Sequence, residues 1–313
     1  MSDVDYLLGV SDLTRQGALR FRSSPDGPYL DPDLTVPKLV ELPRLLQAAD
    51  AAARDPDDLS AVKDLLDAGS GSLGGARPKA SVRDQERLYI AKFPHPGDEW
   101  DVISWEKTTL DLAERSGIEV PSRRLTSIAG RSVLVLERFD REAQNRVGYM
   151  SAMTMVQGTD GTPGDYLEVA ETLTEYGSQV GEDLRQLWRR IAFSVAVHNT
   201  DDHLRNHGFL RDGRAGWRLS PAFDLNPNPD VGAQRVTGIG GAYRREDELT
   251  GLMSYADSFR LTPNEACRVL RDVLDGTAAW REVAMSNGVP GREVPRFEDA
   301  LEGVRETMTG LAG

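Results

Sequence analysis

The chain has 313 residues, enough to bury a large core and form two lobes or domains, and it carries a formal net charge of −13 with a pI near 4.9. That charge repels phosphate, so no direct binding to nucleic acid or to an anionic membrane is expected. The single cysteine, Cys267, excludes an intrachain disulfide framework and any multi-cysteine zinc site, while the acidic start Met1-Ser2-Asp3-Val4-Asp5 is no signal peptide and no apolar run approaches a membrane span; a soluble, cytoplasmic protein is expected.

Residues 1–35 read as short strands and turns rich in Gly, Pro and Asp. Leu39, Leu42, Leu45, Leu46 and Ala49 recur at helical spacing and predict an amphipathic helix over 39–53. A short second helix follows over 57–66, opened by Asp55-Pro56-Asp57. After the stretch Ser70-Gly71-Ser72-Leu73-Gly74-Gly75-Ala76 come strand-like segments at 80–82 and 87–93, a helix over 105–116 stopped by Gly117, and the clearest strand, 132–139. Residues 141–166 are polar and read as an irregular loop or insertion. Helices then dominate: 166–177, 181–199, 247–257, 262–275, 276–287 and 297–312. The expectation is an α+β fold, with a mixed α/β first lobe over 1–140 and a mainly helical second lobe over 141–313.

The chemistry is densest in Val197-His198-Asn199-Thr200-Asp201-Asp202-His203-Leu204-Arg205-Asn206, answered by Ser220-Pro221-Ala222-Phe223-Asp224-Leu225-Asn226-Pro227. An aspartate, an asparagine five positions on and a second aspartate eighteen beyond that are the groups that hold Mg-ATP and accept a hydroxyl proton in phosphoryl transfer. Phe209, Leu210, Trp217 and Leu219 flank the turn signal Asp212-Gly213-Arg214-Ala215-Gly216 and predict a β-hairpin with a loop of about five residues. A hairpin returns on itself, so Asn206 and Asp224 should lie close together as two oxygen ligands for Mg²⁺. Asp201 is then free to face an incoming hydroxyl. His198 reads as a packed or capping residue and Asp202 as a helix-end residue.

The glycine-rich stretch could cradle phosphates, because glycine lets successive N–H groups point inward as an anion nest. It does not match a Walker-type loop. Lysine is scarce here, with 5 against 32 arginines, and Lys92 lies in the apolar strand Leu88-Tyr89-Ile90-Ala91-Lys92-Phe93. A lysine there needs an anionic partner; an ATP phosphate together with Glu106 on the next helix would supply it. Glu137-Arg138-Phe139-Asp140-Arg141 ends the apolar strand where a two-lobed kinase has its adenine-binding hinge.

The order of these segments resembles that of the HipA-like serine/threonine kinases, toxin components of bacterial toxin–antitoxin operons, from about Leu7 to the helical C-terminus. The resemblance implies a two-lobed protein-kinase-like fold using ATP and Mg²⁺. It makes Asp201 the catalytic aspartate, Asn206 and Asp224 the Mg²⁺ ligands, and Lys92 the phosphate-binding lysine. His203 would lie beside the nucleotide, the backbone at Glu137 and Phe139 would form the adenine hinge, Asp140 would sit near the ribose, and Gly74 and Gly75 would belong to the phosphate loop. Ser72, with Ser70 as the alternative, falls at the autophosphorylated loop serine. With about seventy residues before the loop, the chain resembles the short HipT-type relatives that lack an N-terminal subdomain. That implies a HipB-like DNA-binding antitoxin, a small HipS-like protein, or both as partners, and an aminoacyl-tRNA synthetase as substrate. Two other readings use the same residues: a small-molecule phosphotransferase, and a catalytically idle component of a repressor complex. A metal hydrolase on His198, Asp202 and His203 is the weakest reading.

Overall fold

The computed structural model describes residues 3–30, 36–55, 60, 63, 65, 73, 77–143, 145–159 and 161–313. The chain divides into two compact units, Met1–Ile103 with Ser122–Tyr149 and Ser104–Pro121 with Met150–Gly313. Among the described residues no helix is long and apolar enough to cross a membrane.

The first unit is built on a four-stranded antiparallel sheet in the order β1-β2-β4-β3, with β1 at Lys79–Asp84, β2 at Arg87–Lys92, β3 at Arg123–Ile128 and β4 at Arg131–Glu137. Alternate residues of a strand share a face, and Ala80, Val82, Ala91, Phe93, Val133 and Val135 form one apolar layer. The helix Leu42–Arg54 covers that layer with Leu42, Leu45, Leu46 and Ala49. Leu39 belongs instead to a short 3-10 turn, Leu39–Glu41, because Pro43 at the first turn fixes where the α-helix can begin. Lys92 faces away from this layer, directly opposite Lys79 across β1 and β2. Strand β3 is absent from the sequence expectation: Arg-Arg-Leu-Thr-Ser-Ile carries little apolar alternation, as suits a partly exposed edge strand.

Four other expectations are corrected. Among the described residues of 1–35 there are a helix, Asp3–Leu8, and an Arg22–Tyr29 bridge rather than several strands. The supposed irregular stretch 141–166 holds the paired strands Arg141–Glu142 and Asn145–Arg146, the strand Tyr149–Ser151, a helical turn Ala152–Met155 and the strand Gly164–Asp165. Elements this short are fixed by local caps, such as Ser151 accepting from the Thr154 N–H, and leave no periodic signature. The last helix is broken into Glu298–Glu302 and Arg305–Ala312 around Gly303. The helix expected to reach 199 runs over Val180–Ala196 and stops early. The helix expected over 57–66 lies largely outside the described residues.

In the second unit Val180–Ala196 is the central helix, with Leu187, Trp188, Ile191, Ala192 and Phe193 wholly buried. Helices Tyr166–Tyr176, Arg245–Ser254 and Pro263–Thr277 pack around it, and the Trp188 indole N–H donates to the Leu252 carbonyl at 3.1 Å. The helix Val102–Arg115 ends as expected at Gly117, whose φ of +74° lets the Ile118 N–H reach back to the Ala113 carbonyl at 3.0 Å. Trp105 on that helix stacks on Phe297, ring centroids 3.9 Å apart.

Asp183, in the first turn of the central helix, is buried with one carboxylate oxygen lacking a hydrogen-bond partner. Burial pushes its carboxyl up to about 6, against the backbone N–H of Leu219 and the charges of Arg190 and Arg218. A carboxyl whose folded pKa exceeds its unfolded value binds more protons when folded, so it loses stability as pH rises from about 4 through 6. Asp183→Asn should therefore raise the thermal midpoint above pH 6.5 by a few degrees, on the order of 1 kcal/mol, and the gain should vanish near pH 4. Scanning calorimetry of both proteins across that range checks it; a gain independent of pH would refute the cause given.

Candidate active site

The central helix terminates in a turn whose Asn199 N–H reaches the Ser194 carbonyl at 2.9 Å and whose His198 sits at φ +53°, a conformation that glycine usually fills. A non-glycine residue there costs on the order of 1 kcal/mol. The His198 ring is buried with Nε2 2.9 Å from the Asp230 carbonyl, which holds the turn in place.

From this point the loop is tied down on both sides of one residue. The Thr200 carbonyl accepts from the Val236 N–H at 2.9 Å, and its hydroxyl accepts from Asn228 Nδ2 at 2.7 Å. The Asp202 carbonyl accepts from the Thr237 hydroxyl at 2.6 Å. Asp201, between them, is exposed. The next turn, Leu204–Asn206, returns Asn206 so that its Nδ2 faces the Asp201 carbonyl at 3.4 Å. The hairpin Gly208–Asp212 and Gly216–Leu219 follows with a loop of three residues, shorter than expected, because Asp212 and Gly216 are themselves paired. Ser220 donates to the Gly208 carbonyl at 2.8 Å, closing the hairpin's base. Four residues on, Asp224 adopts φ +58°.

Asn206 thus lies beside Asp201, and Asp224 is near enough for its charge to act on the Asp201 carboxyl. Burial of its surroundings, then the negative charges of Asp224 and Asp202, push the Asp201 carboxyl up, with His203 and Arg205 acting against them. Negative charge gathered around the Asp201 carboxyl in this way favours a nearby cation. The donor set suits Mg²⁺: Asn206 and Asp224 offer hard oxygens, and the Asn226 side-chain oxygen beside Asp224 is buried without a hydrogen-bond partner. Among the described residues no three His, Cys, Asp or Glu side chains cluster as a metal cage. A Mg²⁺ held by two protein groups, and otherwise by phosphate oxygens and water, needs none. Beside Asp201 a cavity of about 780 Å³ is lined by His203, Arg205, Thr237, Tyr243 and Arg244.

Asp202 is not a helix-end residue: the helix stops at Ala196, and Asp202 is the buried anchor of the loop. Tyr166 donates its hydroxyl to one carboxylate oxygen at 2.5 Å, and His207 Nε2 lies 3.1 Å from the other. Arg235 donates to the Tyr166 hydroxyl at 3.2 Å and to Glu248 at 2.8 Å. Burial alone would raise the Asp202 carboxyl; His207, Tyr166 and Arg235 hold it below the usual range, while burial and the Asp202 charge push Tyr166 up. The Asp201-Asp202 doublet was the available signal for this network. Its partners lie far away in sequence and gave none.

In the first unit Lys92 is 6% exposed. The Glu137 N–H is spent on the Ser122 carbonyl and the Arg138 N–H on the Leu88 carbonyl. Phe139 is half-buried, its ring 6.2 Å from that of Tyr149. Asp140 has a structural role. Its buried carboxylate takes Arg138 at 2.9 and 2.7 Å, Arg141 at 2.7 Å and the Gly17 N–H at 2.8 Å, which clasps the N-terminal segment. Glu106, in the second unit, is fully buried. Ser70, Ser72, Gly74 and Gly75 lie outside the described residues.

The fold is of the protein-kinase-like class. The sequence profile of the HipA-like C-terminal domain matches residues 71–280, and the chain belongs to that family. A curated protein of Haemophilus influenzae, provisionally described as a kinase, is 25% identical over 206 residues, covering 57% of this chain and 60% of that protein. The HipA chain in the Shewanella oneidensis complex of HipA, HipB and operator DNA matches with a TM-score of 0.58 at 14% identity, over 77% of this chain and 64% of that one. The Helicobacter pylori proinflammatory kinase CtkA matches with a TM-score of 0.52 at 14% identity, over 77% and 93%. The chain thus spans less than two thirds of the length of the Haemophilus protein and of the Shewanella HipA chain.

Proposed function

We propose that the chain is an ATP- and Mg²⁺-dependent serine/threonine protein kinase acting as a HipA-like toxin. The observation that carries this reading is Asp201 presented to solvent between anchored neighbours, with Asn206 beside its carbonyl and the Asp224 charge acting on its carboxyl. Mg-ATP would supply the phosphoryl group and the charge neutralisation. Asn206 and Asp224 hold the metal, Lys92 holds phosphate oxygens, and His203 lies beside the nucleotide. The Glu137 carbonyl and the Phe139 N–H meet adenine, since the Glu137 and Arg138 amides are already engaged. Asp201 orients the acceptor hydroxyl and receives its proton. Glu106 is the ion-pair partner assigned to Lys92.

The HipB of the Shewanella complex suggests a DNA-binding antitoxin as partner, and a small HipS-like protein fits the same scheme. The substrate is a translation-related protein, an aminoacyl-tRNA synthetase by family analogy, in the cytoplasm. Incubation with Mg-ATP should yield phosphoserine at Ser72 or Ser70, read by mass spectrometry, and phosphoserine or phosphothreonine on a lysate protein. Asp224→Asn should weaken ATP binding tenfold or more in Mg²⁺ and leave binding in EDTA unchanged. Transfer to a sugar or antibiotic instead of a protein would refute the protein-kinase reading.

A further inference from the structure

The first unit carries a second cavity, of about 620 Å³, lined by Arg83, Arg87, Arg138, Arg141 and Arg146 over a floor that includes Leu13 and Leu88. Five guanidinium groups around one cavity run against a chain of net charge −13. Of the described residues, four carboxylates lie among them, Asp12, Glu86, Glu137 and Asp140, fewer than the five cavity arginines and Arg20 that they face. Asp140 is shared between Arg138 and Arg141. Asp12 is shared between Arg20 at 2.5 Å and Arg146 at 3.5 Å. Glu137 pairs with Arg87 at 3.1 Å on the exposed rim, where such a pair contributes little. Arg83 has no side-chain partner among the described residues, and its Nε is buried, as is an unpartnered Nη of Arg146. The surplus registers on Arg141, which burial and the charges of Arg138 and Arg146 push down to about 10.

Buried cationic donors without partners are costly unless a ligand satisfies them. Guanidinium forks match phosphate oxygens in a bidentate way that water does not. We propose that this cavity is an anion site for a compact phosphate-bearing molecule, with the open donors of Arg83 and Arg146 on its phosphate, the other arginines adding positive charge around it, and Leu13 and Leu88 against its apolar part. None of these arginines is assigned to the Asp201, Asn206 and Asp224 set, so the proposal stands without the kinase reading.

Calorimetric titration of the intact chain with pyrophosphate, in EDTA and on the Asp224→Asn background to silence the Mg-dependent site, tests it. One saturable equivalent is expected. Arg83→Gln should weaken binding tenfold or more while leaving the ligand-free thermal midpoint unchanged. Arg214→Gln, a charge change at the hairpin tip of the second unit, should leave affinity intact. No saturable binding, equal affinity in Arg83→Gln, or an equal loss in Arg214→Gln would each overturn the site. A parallel titration with a phosphoserine peptide distinguishes the sources: tighter pyrophosphate binding supports a free phosphate compound as ligand, and tighter peptide binding supports a phosphorylated side chain.

Discussion

Asp201→Asn should lower phosphotransfer by 10²–10⁴-fold or more while ATP affinity and thermal midpoint stay within error of the parent. The side chain is exposed, and its neighbours, not itself, hold the loop: Thr200 is fixed by Val236 and Asn228, and Asp202 by Thr237 and Tyr166. Removing its charge therefore leaves the fold alone and also relieves repulsion with Asp224. The loss falls on the transition state, where the acceptor hydroxyl must give up its proton. Single-turnover phosphorylation and direct ATP binding, measured on the same preparations, separate the two effects. Near-normal transfer by Asp201→Asn would remove Asp201 from the role assigned here.

Arg235→Ala should cost about 3–5 kcal/mol of stability, on the order of 10 °C in thermal midpoint, because it strands Glu248 and strips support from the Tyr166–Asp202 pair. Arg235 and Glu248 are both essentially inaccessible, so no water can replace the lost partner. The double change Arg235→Met with Glu248→Leu removes both charges and should recover much of the loss, since an apolar pair need not be paired electrostatically. Denaturant unfolding of single and double variants gives the coupling energy. A double variant no more stable than the single would show that the ion pair is not what the site rests on.

What was legible in the sequence was local. The helix expected over 262–275 is there, opened by a Thr262 and Glu265 capping box, and the strand over 132–139 announced itself through its unbroken Val133–Leu136 run. Asp201, Asn206 and Asp224 could be read together because a single loop and a hairpin carry all three. What stayed hidden depends on partners distant in the chain. Gly17 meets Asp140 across 123 positions, and Arg235 meets Tyr166 across 69. Burial turns these residues from surface charges into anchors, and nothing in a local window records burial by a remote segment. Asp140 is an example: the family resemblance implied a ribose contact, and no local signal announced the three arginine N–H groups and the backbone amide that its carboxylate accepts.

That same clasp ties the N-terminal segment to the rest of the first unit. Arg138 donates to the Thr14 carbonyl, Arg141 to the Arg15 carbonyl and Arg146 to the Asp12 carbonyl, so residues 12–17 accept hydrogen bonds from buried cations. At the other end Phe297 stacks on Trp105, and Arg271 donates to the Ala312 carbonyl. The family match, 71–280, stops short of all these contributions. Trimming to the span of that match would expose guanidinium groups and an indole stack that the flanks now cover.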